Sequence, residues 1–180
     1  MKLNLKTVEE RVAPLGSRGS YDREFIFDLL TAYGKPQGNV TRLRKGALNV
    51  AADPSSEVAQ KNVVYFRETA GDPLAEIEDL RTAPSTVRYS PRFVIVTNYD
   101  ELLAVDTKTN ENLMIPIRDI DKHFTFFLPW AGMEKAQYVA EAHADIKAAE
   151  RMGKLFDELL GANPGLLELP HGRHALNVFF

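Results

Sequence analysis

The stretch NVVYFRETAGDPLAEIEDLRTAPSTVRYSPRFVIVTN (Asn62–Asn98) decides the fold. Its first seven residues, Asn62–Glu68, are a β-branched and aromatic run of the kind that builds a buried strand. Asp72 and Pro73 then start a helix that runs to about Arg81, with Leu74, Ile77 and Leu80 on one face and the acids opposite. Pro91 precedes a second apolar run, Arg92–Asn98. A strand, a helix and a strand in succession predict a parallel pair joined by a right-handed crossover.

Working toward the C-terminus, Glu101–Thr107 and Asn112–Ile117 flank the turn KTNE and read as a hairpin. Arg118–Leu128 reads as a helix ending near Pro129. Working toward the N-terminus, Ala47–Asp53 is small and apolar and is stopped by Pro54, and Asn39–Leu43 alternates; both read as strands. Ser20 can cap a helix over Tyr21–Tyr33, whose Phe25, Ile26, Leu29, Leu30 and Tyr33 share one face before Gly34 ends it. GSRGS (Gly16–Ser20) reads as a loop, and Thr7–Val12 as a short helix stopped near Pro14. The expected fold class is α/β, a mixed β-sheet flanked by helices, followed by a helical C-terminal segment. The boundary falls near residue 130, giving an α/β domain over 1–130 and a helical linker over 131–180. In the linker, Ile146, Ala149, Met152, Gly153 and Phe156 share a face of a helix over about 145–160. The apolar ending HALNVFF predicts that the chain is the N-terminal part of a longer protein, cut inside a helix.

The 180 residues are 44% apolar and 26% charged, ordinary for a soluble domain. No apolar run reaches the length of a membrane span. The N-terminus, MKLNLKTVEERVAPLG, carries acids where a signal peptide needs its apolar core, so a cytoplasmic location is expected. Cysteine is absent, which excludes disulfides, thiolate chemistry and cysteine-based zinc sites. The net charge of −3 is not that of a free-standing DNA binder, which exchanges a positive excess for counterions. The one dense basic cluster is Arg42, Arg44 and Lys45, the candidate DNA-contacting residues.

Restriction-type nucleases hold a divalent metal between carboxylates on neighbouring strands, and a lysine beside the second carboxylate orients the attacking water. Asp53 and Glu68 stand where those carboxylates would be, with Glu24 on the preceding helix as a third. Ala70 stands two residues after Glu68, where the lysine would be. Lys61 and Lys45 lie on flanking segments. On spacing alone, a carboxylate at the solvent end of a strand accounts for Glu68 better than a metal site does. His171 and His174, three apart, lack a third ligand, and His123 and His143 are isolated. ANPG (Ala162–Gly165) lacks the second proline and the aromatic of an Asn-Pro-Pro-aromatic methyltransferase loop. No Gly-rich loop follows a strand. Trp130, with Phe124, Phe126, Phe127 and Leu128, reads as a hydrophobic anchor where the α/β part meets the helical part.

Three segments resemble a known family: PRFVIVTNYDELLAVDTKTNENLMIPIRDI, HADIKAAERMGKLFDELL and HGRHALNVFF. Together they are similar to the type IIL-like fused restriction–modification proteins, in which a PD-(D/E)xK nuclease-like N-terminal domain precedes an adenine-N6 methyltransferase. The resemblance covers roughly Tyr21–Phe180. It implies S-adenosylmethionine and DNA for the full-length protein, no cofactor in these residues, and a restriction or helicase subunit as a partner. Carried over, the nuclease motif allows two registers. One puts Glu68 at the glutamate, Ala70 at the lysine and Asp53 or Asn49 at the aspartate. The other puts Asn49, Phe66 and Glu68 at the aspartate, glutamate and lysine. Both imply a degenerate, non-cleaving nuclease domain that positions DNA or docks a partner. The alternatives are an active endonuclease using Mg2+ with a displaced lysine, and a pure protein-interaction module.

Overall fold

The computed structural model of the chain describes residues 3–134. The expected helix over 145–160, the linker over 131–180 beyond residue 134, and His143, His171 and His174 lie outside the described residues.

The strand–helix–strand unit forms as its sequence predicts. Strand β2 (Val64–Glu68) and strand β3 (Phe93–Thr97) are parallel, with Val64 beside Phe93 and Glu68 beside Thr97. Between them runs helix α4 (Pro73–Thr82), whose N-cap Asp72 accepts from the Leu74 N–H at 2.9 Å, with Pro73 in the first turn where its missing donor costs nothing. A further short helix, α5 (Pro84–Tyr89), precedes β3. The hairpin forms as expected from β4 (Glu101–Asp106) and β5 (Asn112–Pro116). The sheet is mixed, in the order β1-β2-β3-β4-β5, and only the β2–β3 pair is parallel.

Strand β1 (Glu57–Gln60) is not where a strand was expected. Ala47–Asp53 runs beside it without forming a regular ladder. Asn49 is the reason. Its side-chain Nδ2 donates to the Glu57 carbonyl at 3.0 Å, and its Oδ1 accepts from Ala59 N–H at 2.8 Å and Ala51 N–H at 3.1 Å. One amide side chain thus replaces a rung of main-chain pairing. Asn39–Leu43 also departs from expectation. It lies in helix α3 (Gln37–Arg44), because the buried pair Val40 and Leu43 is three residues apart, a helical and not a strand spacing.

Helix α1 (Leu5–Gly16) continues past Pro14, because Leu15 is buried and packing retains the last turn. Helix α2 (Glu24–Ala32) starts later than expected: Asp22, not Ser20, takes the Glu24 N–H, at 2.9 Å. Gly34 ends it at φ +77°, with Gly34 N–H bonded to Thr31 O and Lys35 N–H to Leu30 O. A side chain there would be strained and would strike Leu3. Instead of one helix over Arg118–Leu128 there are two 3-10 helices, Ile117–Asp119 and Phe124–Ala131. Residues three apart eclipse in a 3-10 helix, which stacks Phe127 on Trp130 at 5.1 Å.

The side-chain period of two divides the core. On one face Tyr65, Val94, Val96, Leu103 and Val105 pack with Ile77 and Leu80 of α4. On the other, Phe93 packs against Phe127 and Trp130, which in turn meets Tyr33, the residue that caps the end of α2. Trp130 donates its indole N–H to Val63 O at 2.9 Å, so it anchors the second 3-10 helix to the start of β2. No helix among the described residues is long and apolar enough to cross a membrane.

Candidate functional site at the end of strand β2

Glu68 is the last residue of β2, at the carboxyl end of the parallel pair, where open α/β sheets form their sites. Its side chain is three-quarters buried, and both of its oxygens are taken. Oε1 accepts from Nε and Nη2 of Arg23, at the start of α2. Oε2 accepts from the Tyr99 hydroxyl at 2.5 Å. The same Arg23 guanidinium donates to the Pro54 carbonyl at 3.1 Å and to the Ser55 carbonyl. Tyr99 sits at φ +70° in the turn after β3, its N–H held by Thr97 Oγ1 at 2.9 Å. Burial, reinforced by the hydrogen bond to Glu68 and by its charge, pushes the Tyr99 hydroxyl well above its ordinary value, so it stays a proton donor.

The other sequence candidates fall around this centre unevenly. Asp53 is fully exposed and lies within the field of Arg23. Its carboxylate caps its own loop, accepting from Ser55 Oγ at 2.5 Å, Ser56 Oγ at 2.8 Å and Ser55 N–H at 3.0 Å. Those bonds, Ser55 first, hold it below the usual carboxylate range. Glu24 points elsewhere and pairs with Arg44 at 2.9 Å. Arg44 also reaches Asp28 at 4.0 Å and covers the Phe27 ring. Of the basic cluster, Arg42 and Lys45 are exposed and make no ion pair with the described residues. Ala70 lies in an exposed bend beyond the strand. Phe66, wholly buried, and Glu68 share one face of β2, so only the second motif register keeps both its Glu and Lys positions inside the strand. Lys61 precedes the opposite end of β2, and Val64 to Glu68 alone spans about 13 Å at the usual strand rise.

A divalent ion of the nuclease type needs several free oxygen donors around one point. With Arg23 in place the residues do not fit one: Glu68 has no free oxygen, and among the described residues no group of three or more His, Asp or Glu could hold a metal.

Sequence reasoning passed over a second carboxylate. Glu57, 3% exposed, stands opposite Arg67 in the β1–β2 register. Arg67 Nε and Nη2 donate to its Oε1 at 2.8 and 2.7 Å, while the Tyr65 hydroxyl and the Asp53 N–H donate to its Oε2 at 2.9 and 3.1 Å. Arg67 also reaches Glu76 of α4 at 2.9 Å. The available signal was symmetry: Glu57 and Arg67 are equally spaced about Asn62, whose φ of +63° marks the turn. Beside Tyr99 opens a cleft of about 510 Å³ between the Gly16–Tyr21 loop and Ile117–Arg118. Of its two arginines, Arg18 is paired with Asp28 at 2.5 Å and Arg118 is exposed.

Fold and site together define a mixed-sheet α/β domain with a neutralised carboxylate at the end of its parallel pair. The chain belongs to the family of MmeI N-terminal domains: the family model described as "MmeI, N-terminal domain" matches residues 3–162. It is similar to DNA methyltransferase A of Bacillus subtilis (strain 168), 36% identical over 157 residues. That match takes in 87% of this chain and 18% of the relative, so the chain spans under a fifth of that protein's length. No solved structure matches it significantly.

Proposed function

We propose that this chain is the N-terminal, nuclease-like but non-cleaving domain of a DNA adenine-N6 methyltransferase from a restriction–modification or phage-defence system. Residues 1–130 are the nuclease-like domain, and 131–180 are the linker toward the methyltransferase part. That part holds S-adenosylmethionine, the methyl donor; the domain positions DNA or docks a partner subunit. The observation that carries the reading is Glu68, which sits at the strand end where a nuclease keeps a working group and has both oxygens bonded within the protein. The family membership and the similarity to a DNA methyltransferase support the context. No lysine stands two residues after Glu68, where Ala70 lies, and Lys61 precedes the opposite end of the strand, which supports the absence of a lysine in the role of water activation there.

The test is incubation of the purified chain with supercoiled duplex DNA and Mg2+ or Mn2+. No nicking is expected. Cleavage that disappears in Glu68→Ala overturns the reading. DNA contact is tested by titrating the chain against duplex DNA at several salt concentrations. Weak binding is expected, falling steeply with salt and weakened further in Arg42→Glu/Lys45→Glu. Binding that ignores salt would favour the interaction-module alternative.

A further inference from the structure

We infer that Arg23 is a built-in cation, filling an oxygen cluster that otherwise has the makings of a divalent-metal site. The inference rests on the nuclease-like reading above and explains how the centre stays folded without an ion. Three oxygens from two separate segments converge on one guanidinium: Glu68 Oε1, Pro54 O and Ser55 O. A carboxylate with main-chain carbonyls is a donor set that hard divalent cations take, and Asp53, fully exposed in the same loop, is a second carboxylate within the field of Arg23.

A guanidinium suits that set for a physical reason. It presents several donors in a rigid planar fork, it is charged at every working pH, and it gives up its water more readily than an ammonium. Arg23 is fixed in the chain at the first turn of α2, so the neutralising charge is always present and needs no free ion. Tyr99 completes the arrangement: its proton blocks Glu68 Oε2, the oxygen a metal would use for a second bond. The Glu68 N–H is also bonded to Ser56 O at 2.9 Å, which keeps the Pro54–Ser56 loop against the strand end whatever cation lies between.

The experiment replaces the guanidinium with an apolar stem of similar length. Arg23→Met in the full 180-residue chain is titrated with MnCl2 and with CaCl2, without DNA, and followed by thermal unfolding and by the Mn2+ electron paramagnetic resonance signal. Wild type is expected to show no saturable Mn2+ binding and no shift of Tm with metal. Arg23→Met is expected to melt lower than wild type, to bind one Mn2+ saturably at millimolar concentration, and to recover part of the lost Tm in metal. Arg23→Met/Glu68→Gln is expected to lose both responses. Arg23→Lys, which keeps one positive charge in the cluster, is expected to fold and to bind no Mn2+. If Arg23→Met does not fold, Arg23→Ser, which leaves room for water, is read in its place. Absence of saturable Mn2+ binding in every folded Arg23 variant lacking a charge overturns the inference, and so does equal binding by wild type. Because DNA is absent, these outcomes are separate from the cleavage test: a wild-type chain that cuts DNA sinks the non-cleaving reading, whereas a metal-blind Arg23→Met sinks only the built-in cation.

Discussion

Arg67→Ala is expected to destabilise the domain by about 3 kcal/mol, because it leaves a buried carboxylate without its cation. Glu57 is almost wholly buried, and Arg67 gives it two charge-assisted bonds at 2.8 and 2.7 Å. Removing one partner of a buried pair costs roughly 3–5 kcal/mol. The lower end applies here, because Arg67 is 24% exposed and its other partner, Glu76, is 38% exposed, so water screens part of the interaction. Tyr65 and the Asp53 N–H remain to solvate Oε2. With an unfolding entropy of about 2 cal/mol/K per residue, a domain of this size should lose roughly 10 °C in Tm. The assay is urea unfolding followed by far-ultraviolet circular dichroism, with Arg67→Met, Glu57→Gln and the double variant completing a cycle. The double variant should lose less than the sum of the singles, with a coupling of about 1–3 kcal/mol. A loss under about 1 kcal/mol for Arg67→Ala, with no coupling, would refute the claim that this pair is buried and interdependent.

Burial pushes the Asp106 carboxyl up, but bonds from Arg92 at 2.9 and 2.8 Å and from Lys108 N–H at 2.9 Å outweigh it, so its folded pKa is lowered. A lowered folded value contributes stability that is present above the unfolded pKa and lost as pH falls through the folded one. Asp106→Asn should therefore unfold more easily at pH 7, with its deficit against wild type shrinking as pH drops below about 4; a deficit constant from pH 7 to pH 2 would contradict the assignment. Trp130→Ala should cost about 3–5 kcal/mol in urea unfolding, through the aromatic cluster it vacates. Trp130→Phe should cost only about 1–2 kcal/mol, chiefly through the lost indole bond, because the Val63 carbonyl keeps the Phe93 N–H at 3.3 Å. Equal losses in the two variants would mean that the hydrogen bond, not the packing, carries the anchor.

The core of this fold was legible where the determinants are local. The run from Val63 to Glu68, the Asp72–Pro73 helix start and the Arg92–Asn98 run each carry their own period and punctuation, and the parallel pair follows from their order. Misreadings came where a side chain did the work of a backbone or where segments were short. Asn49 substitutes for a ladder rung, so Ala47–Asp53 has strand composition without strand pairing. Val40 and Leu43 have helical spacing, but two apolar positions among polar neighbours are too few to outweigh the apparent alternation of Asn39–Leu43. β1 is four residues long and starts on a buried glutamate, a pattern that reads as polar loop. The candidate site was legible only in its strand residue. Arg23 lies 45 residues from Glu68 and Tyr99 lies 31 away, and no spacing rule brings three such distant positions to one point.

That long-range closure changes what a carboxylate at the motif position signifies. In a working nuclease the strand-end carboxylates face a divalent ion and a lysine, so the site carries mobile positive charge that water can approach. Here one fixed guanidinium meets one carboxylate, and both are tied to main-chain carbonyls or a tyrosine proton. The two motif registers then converge on the same chemistry. If Glu68 is the glutamate, Arg23 stands in for the ion and nothing stands in for the lysine. If Glu68 occupies the lysine position, the charge at that position is reversed, and Arg23 becomes the counter-charge that allows an acid to sit there. In both cases the charge is balanced inside the protein. A balanced, hydrogen-bonded pair holds the Pro54–Ser56 loop and the start of α2 against β2 and offers no free oxygen to polarise water. An acid at this strand end therefore carries no implication of cleavage where an arginine at the Arg23 position neutralises it.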